Sequence, residues 1–545
     1  MKSQAVETVD SETSASLRRL EERITRIEAH LGLLAPGPEF APAETTIAED
    51  TEEKLEIQLG QAWFARVGIV VLAIGIIFLL TFPYENLPPW LPSLFGYILV
   101  IVLSAVSRSW RATFPLLSGY LLGGALLLMY FTTMRLSYFS HAPAIHSEVA
   151  EVPLLLLSVT LSLAVAIRRS SVRLAAIILP LGFFTALLTS NSYAVFGILS
   201  LVSVAAVIIS LRYGWNIVIV LGIALAYLTH TLWAINNPLG GNPMQFLKTP
   251  EGNIAFIMLY AIVYAAGTYQ RLQGDREKPK EILASFMNAL GAYTLLLVLT
   301  VAAFQVHMVL WHGVASGVFL ALAVTFWVGR RSLYATFIYA MVGYGALSVA
   351  IISQFNPPDL FVWLCWQSVL VLSTAVWFQS RFIVVANFVI FVIIFVVYLF
   401  VAGTMTAASL SFGIVALVSA RILNWQKERL DLRTELMRNA YLASALFIIP
   451  YALYHIVPSG FVSLSWLAVA ATYYVFSRFL HLRKYRWMAL LTMSMTIVYV
   501  FLIDLVGVNP TLRIVSFLAL GTALIVVSMV YNRRKGRVRE KVGAS

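Results

Sequence analysis

The sequence predicts an all-α fold: a polytopic transmembrane bundle of about 18 spans with a short N-terminal coiled-coil helix. Three observations lead there. The 545 residues are 60% hydrophobic and only 12% charged, with a mean hydropathy of +0.84. A soluble domain carries about 25% charged residues, so an ordinary cytosolic enzyme, a disordered chain and a disulfide-rich module are all excluded. Apolar runs long enough to cross about 30 Å as helices follow one another from Val67 onward. Lysine and arginine crowd into alternate connections between those runs.

The elements follow in order. Residues 1–34 form a polar tail with a short coiled coil, in which Leu17, Leu20, Ile24, Ile27, Leu31 and Leu34 repeat at spacings of 3 and 4. That is the a/d seam of a heptad, and it offers contact to a second copy or to a protein partner. Residues 35–52 are acidic and proline-rich and read as a linker. Residues 53–66 place Leu55, Leu59 and Trp63 on one stripe, the pattern of an amphipathic helix at the membrane surface. The bundle occupies 67–531, and 532–545 is a basic tail. Its apolar runs are 67–82, 89–107, 114–134, 150–167, 172–190, 193–211, 215–235, 253–272, 285–304, 309–328, 333–353, 360–378, 382–401, 405–423, 439–457, 460–480, 486–506 and 510–531.

Charge orients the bundle. The chain is +12 overall, yet residues 1–66 sum to −6 and the remainder to +18. With the N-terminus in the cytoplasm, the outer loops hold three basic residues, Arg135, Lys248 and Arg513. The inner loops and tail hold 28. This asymmetry predicts a multi-pass protein of the bacterial inner membrane with both termini cytoplasmic and anionic lipid head groups as neighbours. A basic face on a soluble module, which a nucleic-acid reader needs, is absent. The one cysteine, Cys365, lies inside a run and forms no intramolecular disulfide. Arginine turns recur every 40–60 residues, a spacing that any chain of 20-residue spans gives, so no duplication is read from it.

The stretch "LGQAWFARVGIVVLAIGIIFLLTFPYENLPP", with Gly60, Trp63, Gly68 and Gly75, resembles a family of large bacterial inner-membrane proteins known only as "predicted membrane protein", a domain of unknown function. The blocks at 116–138 and 173–234 are similar to it as well, and the likeness is clearest over 53–240. The resemblance implies many spans and an N-terminal coiled coil. It brings no activity, ligand or catalytic residue.

Ionisable residues in a bilayer are costly and mark function. The sequence holds almost none at mid-depth. An outer-face polar cluster is expected from Arg135, His141, His146, His230 and Asp504. Six of eight histidines lie at that face, including the pairs in "HAPAIH" and "HMVLWH" (His307 and His312), with His455 the sixth. Glu148 and Glu151 stand close enough in sequence to complete a metal site with His141 and His146, although a separation of five is poor for one helix face. Intramembrane polar candidates are Tyr120, Gln367 and Asn387, with Asn288 and Thr185 read as interhelical hydrogen-bonding residues. Gly119 with Gly123, and Gly313 with Gly317, form GxxxG spacings expected at internal helix packing. Catalytic signatures such as GxSxG, a P-loop, CxxC or HExxH are missing, and no cofactor is expected. Three functions remain: a permease-like transporter of an envelope-related or hydrophobic solute, a scaffold recruiting partners through the coiled coil, and an outer-leaflet transferase or hydrolase. The solute is not legible.

Overall fold

The computed structural model describes residues 90–138, 143–271, 278–401, 409–425, 434–504 and 514–527, with isolated positions at 22, 23, 71, 75, 88 and 529. The coiled-coil seam, the linker, the surface helix at 53–66 and the first apolar run therefore lie outside the described stretches. Each of the other seventeen runs corresponds to one helix. These are α1 (Leu91–Ser109), α2 (Pro115–Met134), α3 (Glu148–Arg168), α4 (Val172–Ala186), α5 (Ser192–Tyr213), α6 (Asn216–Ala234), α7 (Asn253–Arg271), α8 (Pro279–Ala302) and α9 (Met308–Arg330). Then come α10 (Leu333–Gln354), α11 (Asp359–Trp377), α12 (Arg381–Val401), α13 (Leu410–Trp425), α14 (Thr434–Ile456), α15 (Val462–Phe479), α16 (Arg483–Tyr499) and α17 (Ile514–Val527). Among the described residues thirteen helices are long and apolar enough to cross a membrane. Among the described residues there is no strand.

The chain divides into two units, Met1–Tyr84 with Leu94–Leu128, and Glu85–Ser93 with Met129–Ser545. In the first, α1 and α2 are tied by a reciprocal serine clasp. Ser107 Oγ donates to the Ser118 carbonyl at 2.8 Å, and Ser118 Oγ donates to the Ser107 carbonyl at 2.6 Å. Both serines are buried, where a polar group must find a partner.

In the larger unit, α3 to α16 make their principal contacts with helices one or two positions away along the chain. Hairpins thus pack in series, each on its neighbours, as in repeat proteins. Five hairpins close at the same end of their helices through a residue in the left-handed region: Ser170, Gly214, Arg331, Gln379 and His481. Four of these are not glycine, a choice that costs about 1–2 kcal/mol of backbone strain per residue. Local bonds offset it. The Ser171 and Ser380 amides bond back to the Ala166 and Ala375 carbonyls at 3.0 Å, closing each helix end. Ser171 and Ser332 then cap the next helix through Leu174 and Ala335 amides.

Arginine occupies the last turn of α1, α3, α5, α7, α9 and α15, and no basic residue ends α2, α4, α6, α8, α10 or α12. Short connections make consecutive helices of the larger unit antiparallel, so the arginines of α3, α5, α7, α9 and α15 share one basic end. Helix α8 starts a turn and a half before its apolar run. The Glu281 carboxylate accepts from the Lys278 amide at 3.2 Å, and Pro279 follows the cap, so charged residues form its first turn.

Candidate functional site

Helix α7 carries a polar stripe on its buried face. Asn253, Tyr260, Tyr264 and Thr268 stand at relative positions 0, 7, 11 and 15, which a 3.6-residue period brings to one side. All four are almost wholly buried. From Asn253 to Thr268 the stripe extends about 22 Å at 1.5 Å per residue, within a hydrocarbon core of about 30 Å.

Each polar residue of the stripe meets a polar side chain from another helix. Asn253 stands by His230 of α6, Tyr260 by Ser200 of α5, Tyr264 by Ser203 of α5, and Thr268 by Tyr339 of α10. The His230 ring is held between aromatic groups, stacked on Phe196 at 5.1 Å between centroids and edge-on to Tyr260 at 5.8 Å. Several of these groups lack full satisfaction. Neither His230 nitrogen, nor the hydroxyls of Ser203, Tyr260 and Tyr264, reaches a partner at good hydrogen-bond geometry. A polar atom left so in hydrocarbon costs several kcal/mol.

At mid-depth the stripe joins a satisfied junction. Asn288 of α8 accepts from the Tyr227 hydroxyl of α6 at 2.7 Å. Its amide nitrogen donates to the Ala261 carbonyl of α7 at 2.8 Å and to the Tyr339 hydroxyl at 3.0 Å. One side chain therefore links four helices. Close approach is permitted by glycines: a Cβ on Gly222 would stand 3.1 Å from the Tyr264 hydroxyl, and one on Gly291 would stand 2.8 Å from the Tyr227 ring.

The expected outer-face residues are distributed differently. Arg135 and Glu151 are both buried at the end opposite the arginines, where Tyr130 of α2 bonds Thr185 of α4 at 2.9 Å. His230 is buried in the α5–α6–α7 site, whereas His146 is exposed ahead of α3. His141 lies outside the described residues. Asp504 closes the turn that follows α16. Among the described residues no three His, Cys, Asp or Glu side chains come close enough to hold a metal ion. The "HMVLWH" pair separates. His307 and the Trp311 indole both bond Glu251, at 3.1 and 2.6 Å, fixing the loop before α7 to α9. His312 turns inward to Thr300 and Tyr293 of α8, at 3.0 and 3.3 Å. The Thr300 hydroxyl donates to backbone carbonyls of its own helix, so it accepts from Nε2–H, and Nδ1 accepts from Tyr293.

The intramembrane candidates are interhelical ties. Gln367 donates to the Tyr344 carbonyl at 2.9 Å and pairs with Ser348. Asn387 donates to Ser368 and to the Tyr441 hydroxyl, at 2.9 and 3.1 Å from its amide nitrogen. Tyr120 is half-buried in α2. The GxxxG expectation needs correction at Gly313 and Gly317, which are exposed and where a Cβ would meet nothing within 4 Å. A Cβ on Gly119 would also meet nothing within 4 Å, whereas Gly123 is buried. Close packing falls instead on Gly222, Gly267, Gly291, Gly343 and Gly413, which have no such spacing.

The profile of a family described as "Predicted membrane protein (DUF2339)" matches residues 60–454 and 455–534. The chain belongs to this family. Membership in DUF2339 covers far more than the 53–240 stretch in which the likeness is legible by eye, and the second segment begins within the last turn of α14. No curated protein matches the chain, and no solved structure matches it. For this member of the DUF2339 family, the geometry of the α7 stripe is therefore the guide to function.

Sequence reasoning missed the stripe. Tyrosine is ordinary at membrane interfaces, so Tyr260 and Tyr264 raised no attention singly. The signal was present in the helical spacing with Asn253 and Thr268, read together.

Proposed function

We propose that this multi-pass membrane protein is a permease-like transporter whose path follows the buried polar stripe of α7. One observation carries the reading: four polar residues over about 22 Å of one helix face polar partners from α5, α6 and α10, with hydrogen-bonding capacity left over at His230, Ser203, Tyr260 and Tyr264. A purely structural core would fill these positions with apolar groups or pair them fully. The stripe presents hydroxyl, amide and imidazole groups and no carboxylate. That chemistry suits a small, uncharged, hydrogen-bonding solute better than a hydrophobic one. The stripe is closed by the tight packing at Gly222 and Gly291, so passage requires α6 and α7 to part. We further propose that the basic helix ends face the cytoplasm of a bacterial inner membrane, which puts His230 and Asn253 at the outer mouth.

The reading is tested with the full chain in liposomes, following swelling by light scattering in glycerol, urea and small sugars. Swelling faster than in protein-free liposomes, and lost in Ser203→Leu, is the expected result. Rates equal to empty liposomes for every solute, together with no proton flux reported by a trapped pH dye, would contradict it.

A further inference from the structure

A groove of about 500 Å3 runs between α15, α16 and α17. Its volume is in the range of small-molecule sites, about 300–1,000 Å3. Leu464 and Val475 mark its extent along α15, about 16 Å at 1.5 Å per residue. That is close to half of the about 30 Å hydrocarbon core, the depth of one leaflet. Its walls are apolar, thinned by Ala471, Ala489 and Ala523, and one charged group completes the lining, Arg486. Arg486 stands one turn inside the basic end of α16, half-buried, and among the described residues no carboxylate pairs with it.

An arginine at head-group depth above a leaflet-long apolar trough matches one chemistry. The guanidinium fork takes a phosphate through paired charged hydrogen bonds, and the trough takes an acyl chain. A water-soluble phosphate has no use for the trough. The segment 478–486 holds Arg478, Arg483, Lys484 and Arg486 with no acidic residue, so a head group bearing its own cation is repelled. The arrangement recurs on the other side of the α15–α16 hairpin, where Arg421 and Tyr485 head an apolar groove of about 440 Å3 lined by Leu417, Val418 and Phe476.

We propose that the α15–α16–α17 groove is a binding site for an anionic phospholipid of the leaflet at the basic end. The test is native mass spectrometry of the full chain in mild detergent, titrated with dioleoyl phosphatidylglycerol and, separately, dioleoyl phosphatidylcholine. Wild-type protein is expected to retain phosphatidylglycerol adducts in preference to phosphatidylcholine. Arg486→Gln should weaken one adduct about tenfold, the effect of removing one charged hydrogen-bonding partner. Ala471→Trp should remove the same adduct by filling the trough while keeping the charge. Both positions lie at the helix surface, so either variant serves if the other fails to fold. Arg212→Gln, at the basic end of α5, should keep the wild-type pattern. Equal retention of the two lipids, or wild-type phosphatidylglycerol adducts in the folded groove variants, would overturn the proposal.

Discussion

Asn288 makes three hydrogen bonds to three different helices, while Tyr264, three residues along α7 from the Ala261 that Asn288 bonds, has a hydroxyl with no well-formed bond. The two residues should therefore respond oppositely to loss of polarity. Asn288→Leu strands the Tyr227 hydroxyl and should cost about 1–3 kcal/mol, read from unfolding in mixed micelles. Tyr264→Phe removes an unsatisfied group and should leave the protein at least as stable as the wild type. A large loss in Tyr264→Phe would mean that its hydroxyl is structural and would weaken the case for a path. Legibility at this scale follows chemistry. Asn288 is visible in the sequence because an amide inside an apolar run is conspicuous. His230 is visible too, but its burial is not, since sequence position alone places it at a helix end where water is near. Which polar groups meet is set by helix rotation and neighbour choice, and no single-sequence pattern encodes those.

At the scale of the element, hydropathy located the helices because backbone polar groups in lipid have to be satisfied within each segment. The run 215–235 and helix α6 differ by one residue at each end. Where the match is looser, as at the start of α8, a cap of charged residues extends the helix beyond its apolar stretch. Packing was less legible. GxxxG gives two glycines one face but does not say what that face meets. Gly291→Val should push Tyr227 away and cost about 1–3 kcal/mol by overpacking. Gly313→Leu, with open space beside it, should stay within about 0.5 kcal/mol of wild type. Thermal unfolding of the two variants in one detergent checks both numbers, and the reverse order would restore the GxxxG face as the packing surface.

For the whole molecule, serial hairpin contacts and arginines on alternate helix ends describe a chain laid down span by span. The proposed sidedness predicts that a cysteine at Asn242, introduced with Cys365 replaced by alanine, reacts with an impermeant maleimide added to intact cells. A cysteine at Gly214 should react only after the cells are opened. The alternating arginines were fully legible in the sequence, because charge distribution is a property of the chain rather than of its packing. The polar stripe of α7 was not, since it exists only once α5, α6, α8 and α10 are assembled around that helix.

The most direct test of the account is solvent access to Ser203, which is buried beside Tyr264 in the proposed path. In a Cys365→Ala background, Ser203→Cys is exposed in membranes to a charged, impermeant methanethiosulfonate, with lipid-facing Leu201→Cys as the comparison. The account predicts that the cysteine at 203 is modified from the side opposite the basic helix ends while the one at 201 is protected. Protection of both positions under all solutes tried would contradict a path along α7.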